Sequence, residues 1–435
     1  MPRPRLPRLR REHLLDVRPL RESPAYARMW IGSTLGGLGG QLTVVAVMLH
    51  MYELTTSTFA VSMIAVAGLV PMIVAGLYGG MLADAFDRRR VALLAASVNF
   101  GSTVALMLLT WNGAETVAWL YVLSILNSAA NSVVMAARQS IVPRLIRNDL
   151  LPAAAALTGI SMGIMVAAGP ALAGVLVASV GYGWTYTVDV ALMSAMFLGL
   201  WTLPAVLPEG DAVRPGLRSL VDGWRFLRRA GNIRMQFLLD IIAMTFGHPT
   251  ALFPAIGAVL LGGGAVTTGL LTASVAVGAL LSSVFSGNVG RYPFHGLGIA
   301  RSVMVYGAAI AAFGVVLLIA LPGVGPSAAP QVMLIVFASA ALCVAGAADN
   351  VSAIYRGTMM QAAVPDGMRG RLQGLYIVVV AGGPRIGALY VGTFSTVAAL
   401  WVPEVLGGIV IVGLVAMLLR LNPRFRAYDA RHPEP

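Results

Sequence analysis

Long apolar runs alternate with short polar segments along the whole chain. Twelve runs stand out, at about 28–52, 58–82, 91–111, 117–138, 153–180, 184–205, 234–260, 264–289, 298–321, 331–355, 371–393 and 398–420. Each is near or above the roughly 20 residues that a helix needs to cross a hydrocarbon core. The pattern predicts an all-α membrane protein with twelve transmembrane helices, and the polar stretches between them must be turns at the membrane faces, because exposed backbone is not tolerated in lipid. The longest internal polar segment, 206–233, interleaves Leu217, Leu220, Val221, Trp224, Phe226 and Leu227 with Arg218, Asp222, Arg225, Arg228 and Arg229. That alternation predicts an amphipathic helix on a membrane surface, joining six spans to six spans. The expected division is a tail (1–27), a six-helix bundle (28–205), the linker (206–233), a second six-helix bundle (234–421) and a closing tail (422–435).

Composition agrees. The chain is 58% hydrophobic and 11% charged, with a mean hydropathy of +0.81, whereas soluble domains carry about 25% charged residues. The formal charge is +12, and all 30 basic residues are Arg. They are scattered between apolar runs rather than gathered on one aromatic-laced face, which excludes a nucleic-acid surface. Topology accounts for them better. Every Arg except Arg385 falls in the tails, the linker, or the turns and adjoining span ends on one side, and the turns on the other side hold none. Basic residues mark the cytoplasmic side, so both termini are expected there. The Arg-rich tail is not followed by a short apolar core and small-residue cleavage site, so no signal peptide is expected; the tail is suited to anionic lipid. A single cysteine, Cys343, excludes an internal disulfide and Cys-based metal clusters and reads as a packing residue.

Two features repeat between the halves. Ala129-Ala130-Asn131 followed by Arg138 matches Ala347-Ala348-Asp349 followed by Arg356, and Gly169-Pro170 matches Gly383-Pro384. Both matches fall in corresponding spans and favour two parallel repeats, which make the two bundles pseudo-symmetric. The turn after the second span reads Gly79-Gly80-Met81-Leu82-Ala83-Asp84-Ala85-Phe86-Asp87-Arg88-Arg89-Arg90. Its Gly80, Leu82, Ala83, Asp84, Arg88 and Arg89 resemble the loop signature of the major facilitator superfamily of transporters, with Ala85 and Asp87 departing from the usual pattern. Gly169-Pro170-Ala171-Leu172-Ala173-Gly174 resembles the fifth-span motif of drug/proton antiporters. Leu238-Leu239-Asp240, Phe246-Gly247, Ala251-Leu252-Phe253-Pro254, Gly346-Ala347-Ala348-Asp349, Arg369-Gly370-Arg371 and Gly382-Gly383-Pro384 resemble a siderophore and drug efflux branch, over nearly all of 25–420.

The resemblance implies the major facilitator fold, alternating access and proton-driven efflux of a siderophore or other amphipathic molecule. It implies that Asp84 with Arg88 and Arg89 latches the cytoplasmic side when the cavity faces outward. The first, fourth, seventh and tenth spans line the cavity in that superfamily, and these spans carry most of the intramembrane polar residues here: Gln41, Asn127 and Asn131, Asp240 and His248, Asp349 and Asn350.

Polar groups at mid-bilayer are costly and mark function or pairing. Asp240 and Asp349 sit roughly 10 Å inside the cytoplasmic edge, where each either exchanges a coupling proton or pairs across a closed gate. His248 precedes Pro249, which breaks the helix, so it either meets substrate or packs. Arg385, the sole Arg inside a span, either holds a substrate anion or pairs with Asp349. Asp189 reads as a gate contact, His50 as interfacial and Glu404 as solvated.

The expected partners are a small-molecule substrate, protons and membrane lipid, with no nucleic acid, no metal and no cofactor beyond the proton gradient; the chain is expected to be a monomer in a bacterial cytoplasmic membrane. HExxH and P-loop motifs are absent from the sequence, and the one G-x-S-x-G match, Gly159-Ile160-Ser161-Met162-Gly163, lies within an apolar run rather than at a strand-to-helix turn, which argues against an enzyme or a nucleotide-driven pump. A solute importer on the same fold and a lipid scramblase stay open as alternatives.

Overall fold

The computed structural model describes residues 16–207, 224–285, 292–321 and 331–434. Side chains at 84, 366, 367, 369–371, 373, 374 and 377 lie outside the described set, as do tail residues 1–15 and linker residues 208–223. The Asp84 side chain and most of the expected amphipathic helix therefore fall outside it; residues 224–229 of that segment are helical.

Among the described residues eleven long helices carry the fold. They are α1 (Pro24–Thr55), α2 (Thr58–Ala85), α3 (Arg88–Trp111), α4 (Val117–Leu145), α5 (Leu151–Trp201), α6 (Gly231–Phe246), α7 (Gly264–Val284), α8 (His295–Ile319), α9 (Gln331–Ala363), α10 (Asp366–Phe394) and α11 (Val402–Leu421). Among the described residues ten helical stretches are long and apolar enough to cross a membrane, and Val378–Phe394 is a shorter apolar helix. Helix α5 has 51 residues, about 75 Å at 1.5 Å per residue, far more than one crossing requires. It turns at Gly181, whose φ of 78° and ψ of 178° suit a residue without Cβ. The chain thus has two arms there, in the place where the apolar pattern puts a turn.

Helix ends follow local chemistry. Ser23 accepts a hydrogen bond from the Tyr26 N–H and Pro24 occupies the first turn, so α1 begins earlier than residue 28. Ser57 and Thr116 cap α2 and α4 in the same way. Asp87 caps α3 by accepting from the Arg89 N–H at 3.0 Å, and the same oxygen accepts from the Val206 N–H at 3.0 Å. The helix beginning at Gly231 stops at Phe246; a 3-10 turn (Pro249–Leu252), a short helix and a π turn (Ile256–Leu260) carry the chain onward.

The same packing pattern recurs in both halves. Helix α2 packs on α4 as α7 packs on α9; α3 packs on α4 as α8 packs on α9; α5 packs on α1 as α10 packs on α6. Gly169 faces the Gln41 side chain on α1, and Gly383 faces Met244 on α6. The helix-bend dipeptides thus serve equivalent contacts. Leu94, Val70 and Val284, all about two-thirds exposed or more, point outward in keeping with a lipid-facing surface.

The halves meet along α2–α10 and α5–α7. On the second seam Gly174 faces the Ala265 carbonyl, and Gly269 faces the Pro170 carbonyl and Gly174 itself. A Cβ at Gly269 would lie 3.0 Å from the Gly174 Cα, so the seam admits backbone only. The Gly269→Val variant is expected to lose about 1–3 kcal/mol of stability, read as a lower unfolding midpoint in detergent; an unchanged midpoint would mean that the helices are not in contact there.

Candidate functional site

A cavity of about 740 Å³ lies between the halves. It is lined from α1, α2, α3 and α4 on one side, and from the broken segment after α6 and from α10 on the other. Such a volume suits a drug-sized molecule. One face of the molecule carries the helix ends near Pro24, Ala85, Leu145, Trp201 and Gly231, where the arginines gather; the other carries the ends near Thr55, Trp111, Gly181 and Phe394. The cavity extends from Val61 and Leu106 toward Met135, Ala136 and Gln139 on the arginine-rich side. Toward the arginine-free face it is bounded where Thr58 on α2 and Ser395, just after α10, share a hydrogen bond and Ser62 packs against Gly392.

Four residues singled out in the sequence line this cavity: Asn127, Asn131, His248 and Arg385, with Pro384 beside them. Asn127 and Asn131, one helical turn apart on α4, present the same face. Asn127 donates toward Thr103 at 3.4 Å. His248 sits in the helix break, with Nε2 2.8 Å from the Thr250 hydroxyl. The break is satisfied from outside: the Tyr306 hydroxyl donates to the Gly247 carbonyl. Arg385 donates from Nη1 to the Ala381 carbonyl at 2.6 Å, and its Nη2 lies 3.0 Å from the Met72 sulfur on α2.

Three expected cavity residues lie elsewhere. Gln41 packs against Gly169 inside the first half. Asp240 forms an ion pair with Arg356, and each side chain is 4% exposed. The Arg356 Nη2 also donates to Asp349 Oδ1 at 3.3 Å. Asp349 therefore pairs with Arg356 on its own helix rather than with Arg385. One guanidinium holds two carboxylates, and Asp349 is the accessible member, with a side chain 40% exposed. Asn350 ties α9 to α7 through Ser282 and Ser283, at 2.9 Å each. The Arg356 pairing is invisible in sequence except for its equivalence to Arg138.

The turn motif anchors helix ends. The Arg88 Nη1 donates to the Ser140 carbonyl at 3.0 Å and its Nε to the Ala83 carbonyl at 3.3 Å. Arg89 reaches the Trp201 carbonyl at 2.5 Å. These cations sit where helix C-termini present free carbonyls. Gly79, against Val133 on α4, makes the close approach, whereas Gly80 meets no neighbour.

Two further expectations, for Asp189 and Glu404, are corrected, and His50 lies near a span end as expected but packed inside the protein. Asp189 is fully buried and accepts from the Thr43 hydroxyl within the first half, so it is not a contact between halves. His50 is 3% exposed, stacked on Tyr182 at 4.2 Å between centroids, with Nε2 3.7 Å from Glu115. Glu404 is fully buried against Gly314 of α8, and neither carboxyl oxygen has a partner among the described residues. Span ends packed against neighbours do not reach water, which periodicity alone does not reveal.

With this geometry in view, residues 16–435 match the major facilitator family described as transmembrane secretion effector. The chain belongs to that family. It is a membrane transporter rather than an enzyme. It is 27% identical over 417 residues to the enterobactin exporter EntS of Citrobacter koseri, covering 94% of this chain and 95% of that one. The enterobactin exporter of Shigella boydii is 26% identical over 416 residues, with the same coverage. Among solved structures, a POT family transporter in complex with 5-aminolevulinic acid has a TM-score of 0.72 at 12% identity, covering 93% of this chain and 97% of that one. A bacterial homologue of the human lysosomal transporter Spinster has a TM-score of 0.63 at 15% identity, covering 96% and 98%. Both support the transporter fold for this family member.

Proposed function

We propose that the chain is a proton-coupled exporter of an amphipathic small molecule, a siderophore or a drug, working by alternating access. The observation that carries this reading is the cavity between two similarly packed halves, walled on one face and extending toward the other. The relatives named as exporters support the direction of transport. In this reading the two arms of α5, the run continuing from α6 to Leu260 and the other long helices make twelve crossings, six per half. The arginine-rich face is cytoplasmic, both termini lie there, and the membrane is a bacterial cytoplasmic membrane. The cavity is then open inward, and Arg88 and Arg89 organise the cytoplasmic ends of the first half. No cofactor enters, and a monomer suffices.

The coupling proton belongs to the Asp240–Arg356–Asp349 cluster. Two carboxylates share one cation, so one carboxyl can take up a proton while the guanidinium keeps a partner. Asp349 has the access. Protonation loosens its tie to Arg356 along α9, and that change is the link to rocking of the halves. With a fluorescent amphipathic probe in proteoliposomes, Asp349→Asn is expected to lower gradient-driven efflux by about tenfold or more while leaving exchange at equal pH in place, because the coupling group alone is lost. Unchanged gradient-driven efflux would reject the assignment.

A further inference from the structure

The cavity is charged in one sense only. Its lining holds Asn, Ser, Thr, Gln and His side chains among Met and aliphatic residues, and among the described residues Arg385 is its single formal charge. No Asp or Glu lines it, and no Phe, Tyr or Trp, among the described residues. A cationic guest would find neither a carboxylate nor an aromatic face. An anionic one would find a guanidinium whose partners among the described residues are a carbonyl of its own helix and a thioether, and whose Nε is buried without a partner there.

The acids that could neutralise Arg385 are held elsewhere. Asp240 and Asp349 are bound to Arg356, Asp189 accepts from Thr43, and Glu404 is packed against Gly314 of α8, outside the lining. The repeat sharpens the contrast. Arg138, the counterpart of Arg356 in the first half, has no carboxylate partner among the described residues; it sits beside the lining residue Gln139, with Nη1 4.0 Å from the Met135 sulfur and Nε buried without a partner. The second half neutralises its inner cation, whereas in the first half the equivalent Arg138 meets no carboxylate among the described residues and lies against Met135, which lines the cavity. A half-buried guanidinium without a counterion is costly, and it offers a planar set of donors matched to an oxyanion.

We propose that the transported molecule is an amphipathic organic anion. Its carboxylate, sulfonate or phenolate group docks on Arg385 after passing Arg138, and its apolar body lies along Met48, Ile64, Ile73 and Met135. This rests on the exporter reading and adds the substrate class to it.

The test uses three probes of one size in the purified protein held in lipid nanodiscs: dansyl-glycine as anion, dansyl-glycinamide as neutral analogue and dansyl-ethylenediamine as cation. Fluorescence titration is expected to rank the anion about tenfold or more tighter than the amide, the scale of a charge-assisted hydrogen bond. In Arg385→Gln that preference is expected to fall to near one, and in Arg385→Lys to return in part, with size exclusion and unfolding midpoints confirming folded protein. A neutral or cationic probe binding as tightly, no binding of the anion, or a preference that Arg385→Gln leaves intact would each overturn the proposal. The wild-type ranking needs no variant, so the proposal stays exposed to failure even where Arg385→Gln does not fold. Charge preference without gradient-driven movement in proteoliposomes would remove the exporter reading and leave the anion site standing. Movement of all three probes at equal rates would do the reverse.

Discussion

Replacing Arg356 by Gln is expected to destabilise the protein by about 3–5 kcal/mol, the usual effect of removing one partner from a buried ion pair. The side chain is 4% exposed and is the common partner of Asp240 and Asp349. Without it Asp240, itself 3% exposed, keeps a charge with no counterion in a low-dielectric setting. Its neighbour one turn earlier, Gln236, is fully buried, and neither its amide oxygen nor its nitrogen has a partner among the described residues; it does not substitute for a cation. The double variant Asp240→Asn/Arg356→Gln removes both charges together and is expected to regain at least half of the loss, giving a coupling energy well above that of an exposed pair. Thermal unfolding in detergent of wild type, both single variants and the double variant completes the cycle. Strict additivity, or an Arg356→Gln midpoint equal to wild type, would mean that the pair does not form.

Much of the fold is written in the apolar runs. The predicted spans and the observed helices agree within a few residues at most ends, because length and hydropathy decide where a helix can cross. Ends differ where a cap sets them: Ser23 starts α1 early, and Asp87 starts α3 at Arg88. The break at His248-Pro249 was legible because proline removes a donor, and so was the turn at Gly181. The cavity was legible in part. Asn127 and Asn131 share a helical face, and such a face is readable from spacing. Asp240 and Asp349 were marked as costly residues, yet their shared partner depends on how α6 meets α9, and no local pattern encodes that. Of the two roles open to Arg385 in the sequence, the pairing with Asp349 is not the one found, for the same reason. Glu404 shows the limit from the other side: position near a span end suggests water, while packing against Gly314 excludes it.

A disulfide between residues 58 and 395 is expected to stop transport almost completely. The Thr58 and Ser395 hydroxyls share a hydrogen bond across the seam between α2 and the end of α10, on the arginine-free face. A carrier that alternates must part this contact once per cycle, so a covalent link there holds the cavity shut on that side whatever the gradient. The background is Cys343→Ala, because the native thiol is free and lies on α9. In Thr58→Cys/Ser395→Cys protein, oxidation is expected to reduce probe efflux from proteoliposomes by about a hundredfold, since turnover then requires an opening that a covalent bond forbids. Reductant is expected to restore it, and either single cysteine is expected to be insensitive to both treatments. Binding of the probe from the arginine-rich side should survive oxidation, because the link leaves that side of the cavity as it is. Full transport with the disulfide formed would mean that the seam does not open during turnover, and the two-sided carrier cycle would have to be abandoned for a route that leaves α2 and α10 joined.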